Sequence, residues 1–202
     1  MKKTVLFLGA FILLSLSPSK TGITKKERKY AIQVLEQTRD ELISSLKNLS
    51  VAQIRFKPVE NRWSIEECVK HIAAAEIMLW QMTNGKIQEP ANAEKRVEIK
   101  MTDEDVMIKG ADRGVKVKTA PSLEPQNTPF ANTGEAIISF KDNRDKLIGY
   151  VKNTDADLRN HVATLPFGSL DCYQMILFMA AHTRRHTAQI EEIKMGLVFP
   201  KQ

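Results

Sequence analysis

Four long segments of this chain carry apolar residues at intervals of three and four, the spacing that places them on one face of an α-helix. The segments run from about Lys25 to Leu49, Ile65 to Asn84, Gly134 to Val151 and Leu170 to Met195. No stretch alternates apolar and polar residues strongly enough to predict a strand, and the best candidate, Val115 to Lys118, has only four residues. The sequence therefore predicts an all-α protein built from four long helices.

Polar residues mark the expected ends of these helices. Capping boxes, in which a hydroxyl and a carboxylate bind unpaired backbone N–H groups, stand before the first two helices at Thr24–Glu27 and Ser64–Glu67. Thr133 and Ser169 are expected to cap the third and fourth helices, and Gly85 to end the second.

A connection of 48 residues, Gly85 to Asn132, separates the second and third helices. So long a segment without structure is unusual in a compact domain. Within it, Thr102 to Arg113 is expected to form a short helix with acidic residues in its first turn. The predicted fold is a four-helix bundle with a long crossover between helices 2 and 3.

The N-terminus has the pattern of a secretory signal peptide. Lys2 and Lys3 precede an apolar run of 13 residues, Thr4 to Leu16, and small residues follow up to Ser19. The alternative, an uncleaved N-terminal anchor, would need a longer apolar run to span a membrane comfortably. We expect residues 1–19 to be a signal peptide, residues 20–202 to be one domain, and the protein to be exported, periplasmic or secreted, without a membrane span after cleavage.

Charge and cysteine content exclude several classes of protein. The net charge is +6, and it falls to +4 when the leader takes away its two lysines. Basic residues are scattered among acids, so no nucleic-acid partner is expected. Cys68 and Cys172 either form a disulfide, which export would allow, or stay as two buried thiols. Helix bundles often pair through a helix face, which makes a homodimer one expectation.

Three of the four histidines can converge inside such a bundle. His182 and His186 are four residues apart on the fourth helix, so both imidazoles lie on one face of it. His71 lies on the inner or edge face of the second helix. The pattern is typical of a divalent metal site with an open position, but three buried histidines bonded to polar neighbours would look the same. His161, in a polar loop, has no expected chemical role.

Other polar residues near these faces have two interpretations each. Cys68 is a buried thiol or a fourth ligand or nucleophile beside His71. Gln189 is a hydrogen-bond partner near the site or a polar core residue. Arg144 lies on the apolar stripe of the third helix, where it is expected to reach solvent from the bundle edge, the alternative being an anion-binding role. No general base is singled out, so the sequence assigns no catalytic residue.

Two helical motifs permit a comparison with a known family. Trp63 to Ile72 (WSIEECVKHI) contains Trp and Ser, an acidic patch and then His, and His182 to Ile190 (HTRRHTAQI) contains two His followed by Gln and an aliphatic residue. Both motifs resemble those of the DinB-like superfamily, and the crossover from Arg113 to Pro125 and the FKDNR segment ending at Arg144 are more loosely similar. The resemblance covers nearly the whole chain after the leader.

The resemblance implies a four-helix bundle that holds a divalent metal ion, commonly zinc or nickel, on His71, His182 and His186. It also implies a metal-dependent hydrolase acting on an unidentified small molecule. A thiol S-transferase is one alternative, and a non-enzymatic module that binds a metal or another ligand is the second. The signal peptide departs from the family pattern and weakens the S-transferase alternative, because low-molecular-weight thiol cofactors belong to the reducing cytoplasm.

Overall fold

The computed structural model describes residues 22–115 and 118–201. The expected signal peptide, residues 1–19, therefore lies outside the described residues. So do the two central residues of the candidate strand from Val115 to Lys118. On either side of that centre, Val115 and Lys118 are not in a strand. Among the described helices, none combines the length and the apolar character that crossing a membrane requires.

The predicted four-helix bundle is confirmed. Its helices are α1 (Lys25–Ser45), α3 (Ile65–Gln88), α5 (Thr133–Asn153) and α6 (Cys172–Lys194), and two shorter helices, α2 (Val51–Arg55) and α4 (Asp103–Ala111), lie in the connections. Helices α1 and α3 each pack against both α5 and α6, so the order around the core is α1, α5, α3, α6. The crossover contains α4, as expected, and α4 packs against α6.

Helix ends follow the capping rules, with two corrections. The boxes at Thr24–Glu27 and Ser64–Glu67 are both formed. The side chain of Asn132, rather than Thr133, accepts the capping hydrogen bond of α5. Asp171, rather than Ser169, caps α6 by accepting a hydrogen bond from the backbone N–H of Gln174. The residue that caps α5 thus lies one position before the expected one, and the residue that caps α6 lies two positions after it.

Ser169 cannot cap α6 because it lies in a β-hairpin, which the sequence did not predict. Strands β1 (Val162–Leu165) and β2 (Gly168–Asp171) pair antiparallel immediately before α6. Gly168 has a φ of +129°, a left-handed conformation that favours glycine, and this lets the chain reverse within two residues. The strands are four residues each, too short for alternation to reveal them.

The bundle core consists of two clusters of buried apolar side chains. Cys172 lies in the cluster that contains Leu35 and Ile176, whereas Cys68 lies in the cluster that contains Leu42 and Phe140. Both cysteines are buried free thiols. Of the two alternatives that the sequence left open, the structure thus favours separate thiols over a disulfide.

Arg144 is fully buried, so the expectation that it reaches solvent is wrong. Its guanidinium donates two hydrogen bonds to the carboxylate of Glu76, at 2.6 and 2.7 Å. It also donates to the hydroxyls of Thr38 and Thr183, at 2.8 and 2.9 Å, and to the backbone carbonyl of Leu35. Because the guanidinium lies between α1, α3 and α6 and is 0% exposed, it cannot hold a substrate anion either.

Gly85 does not end the second helix, because α3 continues to Gln88. A Cβ atom at Gly85 would meet nothing within 4 Å. At Gly110, by contrast, a Cβ would lie 2.8 Å from the Cβ of Ala181 and 3.2 Å from the ring of Phe178. The missing side chain at Gly110 is therefore what lets α4 approach α6 closely.

These two glycines are expected to respond to alanine in opposite directions. Gly85→Ala should stabilise the protein by about 0.5–1 kcal/mol, because alanine loses less backbone entropy in a helix. Gly110→Ala should destabilise it by about 1–2 kcal/mol, because overpacking against Ala181 outweighs the same gain. Urea unfolding of the two variants checks both signs, and stabilisation by Gly110→Ala would contradict the close packing of α4 on α6.

Candidate metal centre

The structure brings the three predicted histidines together. One ring nitrogen from each of His71, His182 and His186 lies within 4.8 Å of the others, a convergence of metal-ligand atoms that no other His, Cys, Asp or Glu of residues 22–115 and 118–201 shares. His71 comes from α3, and the other two lie one turn apart on α6, which packs directly against α3. The site is thus built where two bundle helices meet.

The spacing of the nitrogens fits a divalent ion. Two ligands at about 2.0–2.1 Å from a tetrahedral zinc ion are separated by about 3.3 Å. Nε2 of His71 and Nε2 of His182 are 3.1 Å apart. At this separation two lone pairs would repel, so the pair must share either a proton or a metal ion.

Hydrogen bonds fix the tautomers of His71 and His186. Nδ1 of His71 lies 2.9 Å from the carbonyl oxygen of Leu123, which can only accept, so Nδ1 carries the proton and Nε2 keeps its lone pair. Nδ1 of His186 lies 2.9 Å from Oε1 of Gln189, which acts in the same way. In metal sites such partners orient the imidazole and hold it in the tautomer that binds. Gln189 is therefore a hydrogen-bond partner of the site, one of its two expected roles.

Burial keeps the three imidazoles neutral. It is the largest cause that lowers the pKa of each, bringing that of His186 to about 3 and that of His182 well below its ordinary value. Mutual repulsion of the imidazoles lowers the pKa of His182 and His186 further. Neutral imidazole is the form that binds a metal ion.

One side of the cluster is covered and the other is more open. The ring of Trp63 lies 4.9 Å from that of His71 and 6.0 Å from that of His186, measured between centroids. His71 and His186 are 4% and 8% exposed, whereas His182 is only partly buried. His182 is therefore the most exposed residue of the three.

Two other candidates from the sequence lie outside the cluster. Cys68 is not among the converging side chains, and burial raises the pKa of its thiol, which disfavours a ligand or nucleophile role. His161 is buried at the start of the hairpin, where its ring nitrogens face the backbone carbonyls of Asp157 and Glu89 at 2.6 and 3.1 Å. Its position is consistent with a role in structure alone.

The crossover contributes to this centre in a way that the sequence did not predict. Leu123 binds His71 through its carbonyl, and Arg113 donates a hydrogen bond to Oε1 of Gln189 at 3.1 Å. A backbone carbonyl has no sequence signal, and Arg113 is 76 residues away from Gln189. Only a residue-by-residue comparison of the crossover with relatives would have drawn attention to this arginine.

Comparisons with known proteins agree with this architecture. The chain is 26% identical over 164 residues to the uncharacterised protein YuaE of Bacillus subtilis (strain 168), which covers 81% of this chain and 96% of YuaE. Among solved structures it is similar to YfiT from Bacillus subtilis, which is described as a probable metal-dependent hydrolase with an unusual four-helix bundle topology. That similarity has a TM-score of 0.58 at 16% identity and covers 85% of this chain and 88% of YfiT.

A family model describes most of the same region. The model of the DinB superfamily matches residues 34–190, which include both histidine motifs and the crossover. With this match and the bundle topology, the chain belongs to the DinB superfamily.

Proposed function

We propose that this protein is a metal-dependent hydrolase whose divalent ion, zinc or nickel, is held by His71, His182 and His186. The observation that carries the proposal is the convergence of three buried, neutral imidazoles, two of them fixed in the tautomer that leaves Nε2 free to bind. The description of the structurally similar YfiT as a probable metal-dependent hydrolase supports the same class.

The residues of the chain set the conditions for this chemistry. A divalent ion in the centre would supply Lewis-acid activation of a water molecule and of a carbonyl or phosphoryl oxygen. No carboxylate of the described residues belongs to the cluster, so the ligands leave the charge of the ion uncompensated. Trp63 shields His71 and His186, so a substrate would reach the centre past His182, the most exposed residue of the three.

Assays of the metal-loaded protein test the proposal. The protein, purified without a histidine tag and loaded with zinc or nickel, should hydrolyse at least one member of an ester, amide and phosphoester panel. The metal-free protein and the His182→Ala variant should not. Turnover that requires a low-molecular-weight thiol would favour an S-transferase instead, and metal binding without turnover would favour a non-enzymatic binding module.

Export through residues 1–19 is the second part of this proposal. The apolar run after Lys2 and Lys3 supports it. Cell fractionation followed by N-terminal sequencing should recover a protein that begins near residue 20 outside the cytoplasm. A cytoplasmic protein with an intact N-terminus would contradict export and would make a thiol cofactor accessible.

A further inference from the structure

A guanidinium from the crossover contacts Gln189, the hydrogen-bond partner of His186. The amide of Gln189 has an acceptor, Oε1, and a donor, Nε2, at nearly equivalent positions. With Oε1 toward His186, the imidazole carries its proton on Nδ1 and leaves Nε2 free. With the amide turned by 180°, the Nε2 donor of Gln189 would favour a proton on Nε2 of His186, and that tautomer cannot bind a metal ion through Nε2.

Arg113 contacts this amide in a way that distinguishes the two orientations. Its Nη1 donates to Oε1 of Gln189 at 3.1 Å, in addition to the 2.9 Å contact between that oxygen and Nδ1 of His186. A guanidinium only donates hydrogen bonds, so a turned amide would bring two donors against each other. The contact with Arg113 therefore identifies the oxygen of Gln189 independently of how the imidazole is protonated.

Glu192 holds Arg113 in this position. Its carboxylate accepts two hydrogen bonds from the guanidinium, from Nε and Nη2, both at 2.8 Å. His186, Gln189 and Glu192 follow one another at intervals of three on α6, so one arginine bridges two successive positions of the same row. Paired, planar contacts of this kind are specific in geometry as well as in charge.

We propose that Arg113 is a positioning residue of the metal centre, which fixes the metal-binding tautomer of His186 by locking the amide of Gln189. This inference rests on the proposed metal site, but the tautomer is a property of the metal-free protein and can be measured there. The crossover therefore acts on both buried ligands, directly on His71 through the carbonyl of Leu123 and indirectly on His186 through Gln189.

Two readouts without any substrate test the role of Arg113. Long-range ¹H–¹⁵N spectra of the metal-free protein report which ring nitrogen of His186 is protonated, and titration with Co²⁺ gives affinity together with the visible spectrum of the bound ion. In Arg113→Met, His186 should become a mixture of tautomers, and the Co²⁺ affinity should fall by about twofold for an equal mixture and by up to about tenfold where the imidazole also loses its orientation.

Two matched variants separate positioning from general effects. Arg185→Met also removes one positive charge near the centre and one contact with the crossover, the bond from Arg185 to the carbonyl of Val115. It should leave the tautomer of His186 unchanged. Gln189→Glu replaces the amide by a carboxylate that accepts in either orientation, so adding Arg113→Met to it should not change the tautomer.

The result that would overturn the proposal is a single Nδ1–H tautomer and an unchanged Co²⁺ affinity in Arg113→Met. Arg113→Met can also be compared in the otherwise unchanged protein and in the Gln189→Glu variant. Equal losses of Co²⁺ affinity in the two would overturn the proposal, because the arginine would then act only on the fold. Failure of the proposed hydrolase looks different, since Co²⁺ would bind and the tautomer would respond while no substrate is hydrolysed.

Discussion

His186→Ala is expected to lower the affinity for zinc or nickel by on the order of a hundredfold. If the roughly 10–16 kcal/mol of a four-ligand zinc site is shared equally, one imidazole supplies about 3 kcal/mol. No other His, Cys, Asp or Glu of the described residues converges on the centre, so no neighbouring side chain replaces the lost ligand. Elemental analysis after purification, with a chelator competition for the affinity, checks the result.

The matched control is His161→Asn. His161 is also a buried histidine, but it faces backbone carbonyls outside the cluster, so this variant should keep about one ion per chain. Thermal melts of both metal-free variants confirm that each is folded. If His186→Ala bound zinc and nickel as tightly as the unchanged protein, the three-histidine centre would be wrong, and with it both enzyme classes considered above.

Glu76→Leu should destabilise the protein by about 3–5 kcal/mol, because it leaves the guanidinium of Arg144 buried without a counter-charge. Glu76 is 3% exposed and Arg144 is 0% exposed, so water cannot reach the group that is left. Arg144→Met should cost a similar amount for the reverse reason. Unfolding in urea at neutral pH, monitored by circular dichroism, measures both values.

The double variant, Glu76→Leu with Arg144→Met, should lose less stability than either single variant. Apolar side chains of similar volume often replace a buried ion pair at little cost. The hydroxyls of Thr38 and Thr183, which accept from Arg144, also donate to carbonyls of their own helices and so stay bonded. Losses that simply add in the double variant would mean that the two residues act independently, contrary to their bidentate contact.

Helical periodicity predicted the fold because each bundle helix buries a continuous stripe. Ala31, Leu35 and Leu42 of α1 are 0% exposed, as their spacing required. The hairpin before α6 was missed since its strands are short and its turn depends on one positive φ at Gly168. Caps were misplaced where a stronger acceptor, Asn132 or Asp171, stood close to the expected residue.

The histidines of the centre were predictable because they sit on apolar helix faces. Their partners were not, since polar contacts between distant segments leave no periodic trace. Arg144 shows the limit most clearly. On a helical stripe it is indistinguishable from a side chain that reaches solvent, and only the position of Glu76 on the adjacent α3 makes complete burial tolerable.

The way the centre is assembled has a consequence for the order of events when the protein is made. Its contacts join residues far apart in the chain: 111 residues separate His71 from His182, 76 separate Arg113 from Gln189, and 52 separate His71 from Leu123. Contacts that close such long loops form late, after local helices and their packing. A divalent ion held by all three histidines would therefore require α3 and α6 to be packed together, and the proposed metal would be the one available in the compartment where the bundle is completed.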